Sequence, residues 1–245
     1  MNINSPSSWM KSVSIGGELA PFFKSVCVYF VVLGVGGEAA PSLRAAACKC
    51  APVLCLLAAL LGRARRLPPA RRRYAALVSA GLALSALGDA LLVWPERLAG
   101  GMGAFSAAHV AYIAAFGRAR AAPAVGAALY GGAAAYAARV APAAPGPLRA
   151  PVAAYALLLA TMAWRGSARA APAALGAALF LLSDAILGYR LFVGPVPHGQ
   201  VLVMSTYYMA QFGIAYSALH EPAPPVPPVP RRTGDTGAPP VAAAS

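Results

Sequence analysis

The sequence predicts an all-α fold, a polytopic membrane bundle of about eight transmembrane helices. Three observations lead there. Of the 245 residues, 59% are apolar and only 11% charged, too little polar surface for a soluble domain of this size. The apolar residues gather in runs of roughly 20, the length needed to cross hydrocarbon. The 20 basic residues, against 7 acidic ones, lie mainly in short segments between those runs, where Arg and Lys set the orientation of a membrane protein. The formal charge of +13 therefore reads as topology. No nucleic-acid partner is expected, since the basic residues are not interleaved with exposed aromatics.

Residues 1–21 read as a polar N-terminal segment without the basic start and short apolar core of a cleavable leader, so the first run should act as an anchor. The expected spans are 22–40, 45–62, 74–94, 103–117, 123–139, 148–165, 171–192 and 200–219. The third, seventh and eighth are the strongest by composition. The fifth is the weakest, being mostly Ala and Gly, a composition that inserts poorly alone and packs closely against neighbours. Pro123 and Pro172 open their helices, where a missing N–H costs little; Pro52 lies inside the second span and should bend it. Cys27, Cys48, Cys50 and Cys55 have no ligand partners at metal spacing and read as small apolar filler. Beyond 219, residues 220–245 form a Pro-rich tail, extended and solvated.

With eight spans, Arg63, Arg65, Arg66, Arg71, Arg72, Arg73, Arg118, Arg120, Arg165, Arg169, Arg231 and Arg232 fall on one side. Only Arg44, Arg97, Arg139, Arg149 and Arg190 fall on the other. The positive-inside rule then makes both termini cytoplasmic.

An internal repeat ties this layout to chemistry. Gly81-Leu-Ala-Leu-Ser-Ala-Leu-Gly-Asp89-Ala-Leu-Leu92 aligns with Gly176-Ala-Ala-Leu-Phe-Leu-Leu-Ser-Asp184-Ala-Ile-Leu187 at an offset of 95, with seven of twelve positions identical. Spans three and seven would run in the same direction, as in a parallel 4+4 duplication with a site between the halves. Asp89 and Asp184 are the carboxylates deep inside strong spans. An intramembrane carboxylate costs several kcal/mol unless it meets a cavity or a partner. Both sit about 23 Å from the basic ends of their spans at ~1.5 Å per residue, which makes them level. His109 and Tyr112 share one face of the fourth span. Tyr207, Tyr208 and Gln211 cluster in the eighth, and Lys49 lies about one turn into the second, where it could instead snorkel to the interface.

These motifs, taken with their order, resemble the YhhN-like lysoplasmalogenases, the transmembrane-protein-86 family. Gly-Asp89-Ala-Leu-Leu with Phe105-x-x-x-His109-x-x-Tyr112 resembles the family's first motif block. Leu-Leu-Ser-Asp184 with Tyr207-Tyr208-x-x-Gln211 resembles the second. Ala20-Pro-Phe-Phe-Lys24 and Lys49-Cys-Ala-Pro52 resemble the amino-terminal part of the animal branch, and the Arg- and Pro-rich character points to its B-type. The resemblance covers about residues 19–220. It implies hydrolysis of the vinyl-ether bond of a lysoplasmalogen to a fatty aldehyde and a glycerophospho-ethanolamine or -choline, in the endoplasmic reticulum membrane.

Paired carboxylates suit that reaction, as they suit glycoside hydrolysis. One protonates the vinyl β-carbon; the other, ionised, positions water and stabilises the oxocarbenium ion. Asp89 and Asp184 are assigned these two roles, in either order. His109, Tyr112, Tyr207, Tyr208 and Gln211 would hold water or the ether oxygen, and Lys49 would attract the headgroup phosphate. No metal and no cofactor is expected. The partners are the lysophospholipid, water and membrane lipid, with a homo-oligomer left open. The alternative function is a proton- or ion-coupled transporter using the same aspartates, which asks for broken helices in both halves.

Overall fold

The structure, a computed structural model, describes residues 6–33, 40–64, 66–118 and 121–220, with side chains from Gly17 onward. Eight helices follow one another: α1 (Pro6–Leu33), α2 (Leu43–Ala64), α3 (Pro69–Leu91), α4 (Leu98–Phe116), α5 (Pro123–Val140), α6 (Arg149–Ser167), α7 (Ala171–Phe192) and α8 (Gly199–His220). Short 3-10 turns precede α4 and α6. The expected spans map one to one onto these helices. Helix α1 begins well inside the stretch read as a polar segment; the last seven residues of its expected span, apart from Ala40, lie outside the described residues. The Pro-rich tail, Arg65, Arg120, Arg231 and Arg232 also lie outside them.

The bundle encloses a group of polar side chains within an apolar core and turns large apolar side chains outward, an arrangement suited to lipid. Ser85, Asp89, His109, Ser183 and Gln211 are buried, while Leu54, Leu87, Val110 and Leu175 turn outward. By length and composition five helical segments can cross a membrane: Leu43–Ala64, Pro69–Leu91, Pro95–Phe116, Gly146–Ser167 and Ala171–Phe192. The protein is thus a multi-pass membrane protein. Helix α8, ranked from sequence with the strongest spans, is not among the five. Its Gln200, Tyr207, Tyr208 and Gln211 lower its hydropathy, yet the last three are buried against neighbouring helices. A centrally placed helix meets protein rather than lipid on most faces, so its apolarity is a poor guide to its position.

Two close pairs organise the bundle, α3 with α4 and α7 with α8. Glycines set the second pair. A Cβ on Gly176 would stand 2.8 Å from the Ala210 carbonyl, and one on Gly213 would stand 2.6 Å from the Pro172 carbonyl, so the two backbones nearly touch. The flanks add α2 on α3 and α6 on α7, then α1 on α2 and α5 on α6. Helix α4 also meets α6, and α8 meets α2.

Arginines gather at one end. Arg71 Nη2 donates to the Ala218 carbonyl at 3.1 Å, satisfying an otherwise open carbonyl at the end of α8. Arg165 donates to the Gly117 carbonyl just past α4. Arg169 lies over the Tyr74 ring at 4.7 Å, and Arg63 pairs with Glu18 at 2.7 Å. The turns at residues 117–118 and 168–169, the start of α3 and the end of α8 therefore share one basic face.

Candidate active site

Asp89 sits two residues before the end of α3 and is 1% exposed. Helix α3 reaches its partner through glycine: a Cβ on Gly81 would collide with the Tyr112 ring, and one on Gly88 would stand 2.6 Å from the Phe105 ring. Those two contacts bring the α4 aromatics against the helix that carries the carboxylate. Its other neighbours come from α2 and α8. Lys49 Nζ stands 3.8 Å from Asp89 Oδ1, with 16% of the lysine side chain exposed. Tyr207 donates its hydroxyl to Asp89 Oδ2 at 2.6 Å. Behind Tyr207 the bonds continue in one direction: Tyr112 donates to Gln211 Oε1 at 2.7 Å, and Gln211 Nε2 donates to Tyr207 at 3.1 Å. Tyr208 turns away from this chain and donates to the Lys49 carbonyl at 2.9 Å, bracing α8 against α2.

Asp184, at the corresponding place in the repeated motif but eight residues before the end of α7, has different company. Its side chain is 8% exposed and borders an apolar cleft of about 60 Å³ formed with Leu98, Met102, Tyr155, Leu159 and Leu187. That is room for a few water molecules, at ~10–15 Å³ of accessible space each. Tyr155 of α6 donates to Asp184 Oδ2 at 2.5 Å. His109 Nε2, from α4, lies 2.9 Å from the Tyr155 hydroxyl and 3.4 Å from Asp184 Oδ2. Its other nitrogen, Nδ1, is buried with no partner among the described residues.

Each carboxylate thus takes one partner from the helix before its own and one from the last helix of the other quartet. For Asp89 these are Lys49 on α2 and Tyr207 on α8; for Asp184 they are Tyr155 on α6 and His109 on α4. Aromatic rings join the two clusters. Phe180 meets His109 at 4.7 Å and Tyr207 at 5.4 Å, edge to face, and Phe105 meets both Phe180 and Tyr207. Among the described residues no hydrogen bond or ion pair passes from one carboxylate's network to the other's.

Every residue singled out from sequence therefore lies in one of two adjoining networks, except that Tyr208 serves them from outside. Sequence reasoning missed Tyr155. It is a phenol among Ala and Leu in the middle of the sixth span, the same signal that drew attention to Tyr112. Lys49, read from sequence as a cation for a phosphate or one that snorkels to the interface, stands with its Nζ 3.8 Å from Asp89 Oδ1.

The profile of the YhhN family matches residues 44–218. The chain belongs to the YhhN family. Its curated relatives include lysoplasmalogenase TMEM86B of Sus scrofa, 39% identical over 212 residues that make up 86% of this chain and 91% of that one. The Homo sapiens protein of that name is 39% identical over 206 residues, 84% and 88% of the two chains. Lysoplasmalogenase TMEM86A of Bos taurus is 35% identical over 240 residues, 90% and 95%. No solved structure matches the chain. Both carboxylates and all their partners lie within the stretch that matches the YhhN profile.

Proposed function

We propose that this YhhN-family chain is a lysoplasmalogenase that hydrolyses the vinyl-ether bond of a lysoplasmalogen, and that Asp184 carries the proton chemistry. The observation that carries the assignment is the pairing of that carboxyl with an apolar cleft on one side and Tyr155 with His109 on the other. The similarity to TMEM86B over most of both chains supports the reaction.

The alkenyl chain enters the cleft and brings its double bond to Asp184. The neutral carboxyl gives its proton to the β-carbon, leaving an oxocarbenium ion on the ether carbon and a carboxylate beside it. Water in the cleft adds to that carbon and returns a proton to Asp184. The hemiacetal then transfers its hydroxyl proton to the glycerol oxygen and falls apart to aldehyde and alcohol, so that one water is consumed overall. Tyr155 and His109 hold Asp184 in place. Across the aromatic wall, Asp89 faces Lys49. With Tyr207, Gln211 and Tyr112 it locks α2, α3, α4 and α8 around Phe105 and Phe180.

We further propose that all eight helices cross the bilayer as a parallel 4+4 duplication. The exchange of partners between α2–α8 and α6–α4 supports it, as does the matching order of helix packing in the two halves. Residues 22–219 are the catalytic domain. The basic face is cytoplasmic, with both termini on that side, and the membrane is that of the endoplasmic reticulum. Transport, the alternative, asks for helices broken at the binding site; α3 and α7 run unbroken through Asp89 and Asp184.

The test is fatty-aldehyde release by purified, detergent-solubilised protein from a lysoplasmalogen and from its saturated alkyl-ether analogue. Aldehyde from the vinyl ether alone is expected. No aldehyde from folded protein would overturn the assignment.

A further inference from the structure

At the basic end of the bundle, far from either carboxylate, lies a concavity of about 650 Å³ bordered by Arg73, Ile113, Ala114, Gly117, Arg118 and Arg165. Asp89 is sixteen residues along α3 from Arg73, about 24 Å of helix, so this space is separate from the site above. Its three cations come from three places: the start of α3, the turn after α4 and the end of α6.

Arg165 is fixed. Both Nε and Nη2 donate to the Gly117 carbonyl, which a left-handed φ of 70° turns toward α6. Arg73 and Arg118 are exposed at the rim. The other half of the concavity is apolar. Ile113 and Ala114 form its wall, and Val110, one turn further into the bundle on α4, is 55% exposed.

Nothing among the described residues neutralises these arginines. Glu18 pairs with Arg63, Asp89 with Lys49 and Asp184 with His109, while Glu96 lies in the turn at the opposite end of α4. A water-soluble anion would use the charge and leave the apolar wall idle. A phospholipid uses both, its phosphate at the arginines and a chain along α4.

We propose that this concavity binds an anionic phospholipid, with the headgroup phosphate between Arg73, Arg118 and Arg165 and one acyl chain along Ala114, Ile113 and Val110. A lipid of net negative charge is favoured over a zwitterionic one, because three cations converge here without a counter-charge. Bound there, it joins α3, α4 and α6, two of which carry the His109 and Tyr155 partners of Asp184.

The experiment compares the intact protein in phosphatidylcholine nanodiscs with and without phosphatidylglycerol. Retained lipid is read by native mass spectrometry and stability by thermal unfolding. The wild type should retain phosphatidylglycerol and unfold at higher temperature with it. The Arg73→Gln/Arg118→Gln variant should hold it roughly thirtyfold less tightly, at about 1 kcal/mol per surface cation, and lose the thermal shift. Its aldehyde release in phosphatidylcholine alone should stay unchanged, which establishes that it is folded. Arg73→Lys/Arg118→Lys should keep most of the binding. Equal retention by wild type and the glutamine variant would overturn the proposal. So would an equal loss on changing Arg97 and Arg139, which lie at the other end. Displacement of the lipid by free glycerol phosphate would reduce the site to one for small anions and overturn it as well.

Discussion

Asp89 on α3 and Asp184 on α7 stand at equivalent positions of a motif that shares seven of twelve residues, and they have opposite surroundings. Around Asp89 the bundle closes: a lysine faces one oxygen, a tyrosine donates to the other, and a relay of Gln211 and Tyr112 fills the space behind. Around Asp184 it opens: a tyrosine and a histidine hold one oxygen, and an apolar cleft lies alongside. A repeated motif has been given two environments by what faces it. The ion-paired carboxylate suits a structural and electrostatic part. The one that meets a tyrosine hydroxyl and a histidine beside a cleft suits giving and taking a proton, because substrate and water can reach it there.

The largest effect should separate the two directly. Asp184→Asn removes the proton donor and should lower vinyl-ether cleavage by about 10²–10⁴-fold, the usual contribution of general acid–base catalysis, with unchanged elution on size exclusion. Asp89→Asn should keep measurable turnover, its main change a lower unfolding temperature. Equal loss of kcat in both, with both folded, would mean that the carboxylates share the chemistry and that the difference in surroundings has no functional meaning.

Tyr155→Phe is the next probe. It deletes the hydroxyl that bonds Asp184 and His109 while leaving the ring in the cleft wall. A fall in kcat of about 10–100-fold with little change in KM is expected, since the lost group acts on the carboxyl rather than on substrate binding. Tyr207→Phe, the corresponding change at Asp89, should cost much less kcat. A Tyr155→Phe enzyme with normal kcat and raised KM would make that hydroxyl a binding group instead.

How much of this was legible from sequence depends on distance along the chain. The eight helices follow from apolar runs of membrane length, and two of their starts from Pro123 and Pro172. The two aspartates stand out because carboxylates are costly in lipid, and the repeat places them level. Their pairing with separate partners is a matter of which helices touch. Lys49 reaches Asp89 because α2 lies on α3, and His109 reaches Asp184 because α4 and α7 both lie on α6; periodicity within one helix carries neither fact. Tyr155 was legible by the rule applied to Tyr112 and needed only the same attention. Helix α8 carries polar side chains that face protein, so mean hydropathy does not single it out as a span.

The smallest effect tests the closed side of the comparison. Lys49→Met removes the cation and leaves Asp89 buried with an uncompensated charge, a loss of about 3–5 kcal/mol for a buried pair, seen as a clear drop in unfolding temperature. Adding Asp89→Asn removes the charge that the lysine had matched, and the amide oxygen can still accept from Tyr207. The double variant should therefore recover most of the stability, and its cleavage rate should lie within a few-fold of wild type. Recovery of stability together with activity would fix Lys49 and Asp89 as a neutral pair that holds α2 to α3. Recovery of stability with activity abolished would place Asp89 in the chemistry despite its burial, and the sealed carboxylate would have to act on the substrate through the field it casts across Phe105 and Phe180.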